Sequence, residues 1–266
     1  MIVTLLTDYG DEDEFVGVLH GVIASICADC RVVDLTHGIP RHAVRHAAVV
    51  LRNALPYMPA GVHVAVVDPE VGTERRAVAL ECDDGRFLVG PDNGVLSLAW
   101  PRFGGVVEAV DVSHSRHRLE PVSATFHGRD LFAPVAAKLA LGAPLADSGE
   151  RIDPDGLATI ELPAATVAGG AVIAHAVVVD RFGNVALDLG HQDLTGTGLA
   201  LGRSVEVEIG GARHPAAFAR SFADVDAGDL LLYEDAYRTL ALAVNRDDAA
   251  ALLGIAPDDE VRLTPR

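Results

Sequence analysis

Nothing in this 266-residue chain approaches the roughly 20 consecutive apolar residues that span a bilayer. A basic leader is missing too: Ile2 to Leu6 runs straight into Thr7-Asp8, so no secretory signal is expected. Neither G-x-G-x-x-G nor G-K-[ST] follows the first apolar run, so the usual phosphate cradles are absent. Positive charge is scarce, with 21 basic against 38 acidic residues and a net charge of -17. Such a surface repels nucleic acid and anionic membranes, so neither is expected as a partner. Cysteine is limited to three residues. Cys27-x-x-Cys30 has no second pair to complete a zinc site and Cys82 stands alone, so inert thiols in a reducing cytoplasm are expected. Repeats and low-complexity tracts are also missing.

Half of the residues are apolar, and their spacing carries the fold. Strand-like runs at Ile2 to Leu6, Arg31 to Leu35, Val62 to Val67, Ala77 to Glu81, Phe87 to Val89 and Val106 to Val110 alternate with helical patterns. Helices are expected over Asp13 to Cys27, Ala43 to Ala54 and Asp130 to Leu141, with a short one over Val95 to Trp100. That alternation predicts an α/β domain with a mostly parallel sheet covered on both faces. Gly142 to Gly170 reads as a connection carrying at most one strand. Short strand signals then dominate: Ala171 to Val179, Val185 to Leu189, Ser204 to Ile209, Ala212 to Phe218, Leu230 to Tyr233, Leu240 to Val244 and Val261 to Leu263, with a small helix over Asp247 to Leu253. The expected organisation is an N-terminal α/β domain over 1–160 and a smaller β-rich C-terminal domain over 161–266.

The most informative stretch is Val66-Val67-Asp68-Pro69-Glu70-Val71-Gly72-Thr73-Glu74-Arg75-Arg76. Pro69 cannot continue a central strand, so Asp68 lies at its carboxyl end with guanidinium groups close behind. Open α/β sheets present polar sites at such ends. Leu6-Thr7-Asp8-Tyr9-Gly10 and Phe126-His127-Gly128-Arg129-Asp130 offer similar clusters. Asp8 suits a ribose diol, since a carboxylate accepts two O–H bonds, and suits a helix cap equally. Asp68, Arg75 or Arg76, and His127 read as a charge-tuned set able to orient and deprotonate a water, or as a structural ion pair with a capping histidine. Gly90-Pro91-Asp92-Asn93-Gly94 and Asp180-Arg181-Phe182-Gly183-Asn184 are turns by composition. His42 and His46 have zinc-like spacing but read as a solvated helix face. Asp8, Asp11, Asp13, Asp92, Asn93, His127 and Asp130 also admit a metal-dependent phosphoesterase or nucleoside hydrolase.

Taken together these motifs, with Ser221-Phe222-Ala223-Asp224, resemble the S-adenosyl-L-methionine (SAM) hydroxide adenosyltransferases, relatives of the SAM-dependent chlorinase and fluorinase. They occur in that family's order and span nearly the whole chain. The resemblance implies a C-terminal β-barrel-like domain and a cytoplasmic homotrimer with active sites at subunit interfaces. It implies conversion of SAM and water to adenosine and L-methionine, with SAM as substrate and neither metal nor cofactor. The catalytic triad would fall on Asp68, Arg75 and His127, with Arg76 the neighbouring alternative. Substrate would be bound by Asp8, Asn93, Asp180, Phe182, Asn184 and Phe222. A halogenase-like pattern would carry Tyr for Asp68 and Ser for Gly128, which argues against halide chemistry. Asp235-Ala236-Tyr237-Arg238-Thr239-Leu240 departs from the family's Asn-Ser pattern. A non-catalytic SAM or adenosine sensor would bind without turnover.

Overall fold

The run from Val62 is buried on both faces of its strand in the computed structural model, which describes residues Met1–Arg266. It is the third strand of a first unit, Met1–Ile160. That unit contains β1 (Ile2–Thr7), β2 (Arg31–Thr36), β3 (Val62–Val66), β4 (Ala77–Cys82), β5 (Phe87–Pro91), β6 (Val106–Asp111) and β7 (Glu150–Ile152). Across the sheet the order is β2-β1-β3-β5-β4-β6-β7. β2, β1, β3 and β5 pair in parallel, while β4 is antiparallel to both β5 and β6, and β7 to β6. Only β4 and β7 therefore run against the rest, and the sheet is mostly parallel.

Alternation along β3 builds two layers. Val62, Val64 and Val66 pack with Leu19 and Ile23 of α1 (Phe15–Ile26), and with the helix that follows His127. Ala65 and Val67 face Ala47 and Leu51 of α2 (Val44–Ala54). His63 is tolerated in that second layer because its Nδ1 lies 2.9 Å from Thr4 Oγ1. Burial pushes its imidazole down to about 4, so it packs as a neutral ring.

The third helix starts later than its apolar pattern predicts. Gly128–Phe132 forms a single π turn, and α3 follows over Ala133–Ala140. Pro134 has no N–H to offer the Asp130 carbonyl, which instead accepts from Leu119 N–H at 2.8 Å. π turns of this kind recur at functional sites. The helix expected over Val95 to Trp100 is replaced by turns and a 3-10 turn at Trp100–Phe103.

The second unit spans Glu161–Arg266. It comprises β8 (Thr166–Ala168), β9 (Ala171–Val179), β10 (Val185–Gly190), β11 (Ser204–Ile209), β12 (Ala212–Phe218), β13 (Leu230–Glu234), β14 (Thr239–Val244), α4 (Ala249–Leu253) and β15 (Glu260–Pro265). The strands run β10-β14-β13-β12-β11-β15-β9, and β9 pairs back with β10, so seven strands close into a barrel. Closure leaves no open edge among them. Inward-facing Val205, Val207, Leu230, Leu232, Leu240 and Leu242 fill its core. The connection expected to hold at most one strand carries two, β7 and β8, each of three residues.

The cysteines differ from expectation. Cys27 and Cys30 are joined as a disulfide where α1 ends, the turn bringing their Cα atoms to 5.3 Å. Cys82 is a buried free thiol that burial pushes up to about 12. No helix is long and apolar enough to cross a membrane.

Candidate active site

Where β3 stops at Val66, the chain turns through Asp68-Pro69-Glu70, with Val71 N–H returning to Asp68 C=O at 3.3 Å. The turn is pressed against the segment before His127. A Cβ on Gly72 would lie 2.5 Å from the Ala124 carbonyl oxygen, and its φ of +83° also favours glycine. That close approach sets Asp68 and Arg75 beside His127.

The two arginines part company. Arg75 Nε donates to Asp68 Oδ1 at 3.1 Å, and its Nη2 contacts Asp68 Oδ2. The same Nη2 lies 3.2 Å from His127 Nδ1, and Nη1 donates to the Arg76 carbonyl at 3.0 Å. Both side chains of the pair are buried, Arg75 at 4% and Asp68 at 6% exposure. Arg76 points elsewhere. Its Nε donates to Asp92 Oδ2 at 2.9 Å and its Nη2 to the Gly156 carbonyl at 2.6 Å. The structure thus joins Arg75 to Asp68 and His127, and uses Arg76 as a brace.

The electrostatics follow from this packing. Burial pushes the Asp68 carboxyl above its usual value, and the Arg75 guanidinium pulls it partly back. Burial, then Arg75, lowers His127, while Asp68 and Asp130 oppose that shift. The two groups are therefore drawn towards each other in acidity, the kind of perturbation that gathers at reactive sites. Arg75 and His127 also form part of the wall of a cleft of about 860 Å³, with Arg76, Arg118, His114 and Ser123 around it.

Asp8 follows directly on β1. Its Oδ2 accepts from His42 N–H at 2.9 Å. His42 has a left-handed backbone, φ 64°, and precedes α2, so it does not share a helix face with His46. The contacts that steady this loop were not legible in the sequence. Thr7 Oγ1 accepts from Tyr9 N–H at 3.1 Å and lies 2.8 Å from His37 Nδ1, and Gly10 N–H donates to the His37 carbonyl. His37 in turn lies 3.1 Å from the carboxylate of Asp34, three residues before it. Asn93 is committed to the backbone: its Nδ2 donates to the Val67 carbonyl at 2.9 Å and its Oδ1 accepts from Val95 N–H. It braces the residue before Asp68.

The other expected substrate contacts belong to the second unit. Asp180 Oδ1 accepts from Phe182 and Asn184 N–H at 2.8 and 3.0 Å, and Oδ2 from Asn184 Nδ2 at 2.8 Å. Phe182 projects from this turn at 70% exposure. Phe222 packs on Tyr233 with ring centroids 5.2 Å apart. Burial, then Asp180, pushes the Tyr233 phenol up to about 12. Tyr233, on β13, thus supports Phe222 and feels the Asp180 charge, a role the sequence pattern did not single out.

The carboxylates that suggested a metal hydrolase do not converge. Asp92 is held by Arg76, and Asp130 by Arg129 with Ser123 N–H at 2.7 Å. No three His, Cys, Asp or Glu side chains are grouped to hold an ion.

Comparison with known proteins identifies the family. Residues 3–149 match the SAM hydroxide adenosyltransferase N-terminal domain, and residues 174–262 the C-terminal domain of the same name. An (R)-S-adenosyl-L-methionine hydrolase of Salinispora tropica is 47% identical, over 98% of this chain and 97% of that one. A protein of the same name from Thermus thermophilus is 40% identical, over 98% of each chain. The crystal structure of an uncharacterized conserved protein from Thermotoga maritima superposes with a TM-score of 0.90 at 35% identity, over 99% of this chain and 100% of that one. The chain belongs to the SAM hydroxide adenosyltransferase family.

Proposed function

We propose that this member of the SAM hydroxide adenosyltransferases hydrolyses SAM to adenosine and L-methionine, by in-line attack of water on C5′ of the adenosyl group. The observation that carries this reading is the buried contact of Arg75 with both Asp68 and His127 at the end of β3. The sulfonium leaves as a neutral thioether, so departure needs no acid. What remains is to place a water in line and remove its proton.

The hydrogen bonds suggest how the labour divides. Arg75 N–H donates to His127 Nδ1, which favours the neutral tautomer with its proton on Nε2. That N–H can orient the water, and the Asp68 carboxylate, raised by burial, can accept the proton. Arg75 steadies the charge that develops between them. Asp8 is assigned to the ribose hydroxyls. Asp180, Phe182, Asn184 and Phe222 are assigned to the remainder of the substrate, and Asn93 to the support of Asp68. No metal or cofactor enters this scheme.

Activity then requires an ionised Asp68 and a neutral His127. Asp68 is raised from 3.8 and His127 lowered from 6.5. As pH falls, kcat/KM should hold through 6.5 and be lost between that value and 3.8. An acid limb centred below 3.8 would contradict the raised Asp68.

We assign the enzyme to the cytoplasm, where the Cys27–Cys30 pair would be held reduced, and to a homotrimer whose sites draw on neighbouring subunits. Light scattering should return three times the 27.9 kDa chain mass; a monomer would remove the interface sites. The direct test of function is chelator-treated protein incubated with SAM. Adenosine and methionine appearing in equal amounts support the reading, and SAM retained without turnover would replace it with a sensor.

A further inference from the structure

Gly128 follows His127 at the start of the π turn, and its backbone is not left-handed, so nothing conformational demands glycine there. Space does. A Cβ on Gly128 would lie 2.4 Å from the Tyr9 hydroxyl oxygen, with the next ring atoms at 3.3 Å. The hydroxyl is the main obstacle to a side chain at this position, since the ring carbons at 3.3 Å need to give by only a few tenths of an ångström.

Tyr9 has little freedom to withdraw. Its ring meets Phe15 edge-on at 5.9 Å and Phe126 at 5.9 Å, and those two rings meet at 5.2 Å. Edge-to-face clusters of this kind resist rotation of any one member. Its backbone is fixed as well, by the N–H bond to Thr7 Oγ1 at 3.1 Å. Tyr9 is next in sequence to Asp8, and Gly128 is next to His127, so the contact ties the ribose-side loop to the triad. Burial, then Asp8 and Asp68, keeps the phenol protonated far above neutral pH. It therefore remains a hydrogen-bond donor under all working conditions.

Resting on the hydrolase reading, we propose that Tyr9 is a further residue of the reaction site: its hydroxyl, seated against Gly128 one residue from His127, holds the attacking water, and Gly128 is the seat that admits it. The Tyr9 hydroxyl and the missing Gly128 side chain act as one unit.

The test is a double-mutant cycle of Tyr9→Phe and Gly128→Ala, measured as kcat and KM for SAM and as thermal midpoint. Tyr9→Phe is expected to lower kcat about tenfold with KM within about twofold, the signature of an interaction made in the transition state. Gly128→Ala should lower kcat at least as much when Tyr9 is intact, and add less than about threefold on top of Tyr9→Phe, because neighbouring side chains couple. Equal losses from Gly128→Ala in both backgrounds, or an unchanged kcat in Tyr9→Phe, overturn the proposal. If the unmutated protein fails to turn over SAM, the hydrolase reading falls. The thermal midpoints then still read the pair: Gly128→Ala should lower the midpoint with Tyr9 present and not in the Tyr9→Phe variant, and equal drops would remove the steric pairing itself.

Discussion

Asp68→Asn is expected to lower kcat for SAM hydrolysis by about 10³-fold while KM stays within about threefold, the range a positioned base commands. Asparagine keeps the shape but can accept only one of the two Arg75 N–H groups, its own amide N–H meeting the other, so the thermal midpoint of the variant is measured beside its kinetics. What it loses is the basic carboxylate that burial has raised. Steady-state kinetics with SAM, paired with calorimetric titration of the variant, separates the two effects. Loss of kcat and binding in equal measure would move Asp68 from chemistry to substrate binding.

Arg75→Ala should lower kcat by about 10²-fold or more, as removal of one preorganised donor does in other sites. It should also reduce folding stability by about 3–5 kcal/mol, because it leaves the Asp68 carboxylate buried without its partner. The size of both effects follows from burial: at 4% and 6% exposure the two charges are largely out of solvent and rely on each other. Arg76→Ala is the control. Its side chain is 38% exposed and binds Asp92 and Gly156, so kcat should change less than about threefold. Urea unfolding and kinetics on both variants read this directly. A larger kcat loss from Arg76→Ala than from Arg75→Ala would reverse the assignment.

Much of this was legible in the chain because strand ends announce themselves. Asp-Pro after an apolar run stops β3 where a polar side chain is wanted, and the alternation of strand and helix gives a mostly parallel sheet. Closure of the second unit into a barrel is legible only through family resemblance, because short strands with turn signals suit a sandwich as well. The choice between Arg75 and Arg76 was not legible. Adjacent residues on extended chain point to opposite sides, and sequence does not say which side holds Asp68. The π turn at Gly128 escaped because the apolar spacing through Leu131 and Val135 fits a helix, while the bonding is decided by Pro134 and by Leu119 N–H from elsewhere in the chain. Tyr9 over Gly128, and His37 behind Thr7, are contacts between distant segments, which no local pattern encodes. β7 and β8 are too short, at three residues each, to show a period. The disulfide between Cys27 and Cys30 depends on how the chain turns at the end of α1.

In the proposed reaction, water attacks C5′ of SAM at a site built on Asp68, Arg75 and His127, without a metal. Hydrolysis of SAM by chelator-treated protein in ¹⁸O-enriched water, with mass spectrometry of the products, tests it most directly. Adenosine carrying one ¹⁸O at its 5′ oxygen is expected, together with unlabelled methionine, at the same rate with and without chelator. Adenosine without label, label in methionine, or activity abolished by the chelator would contradict it.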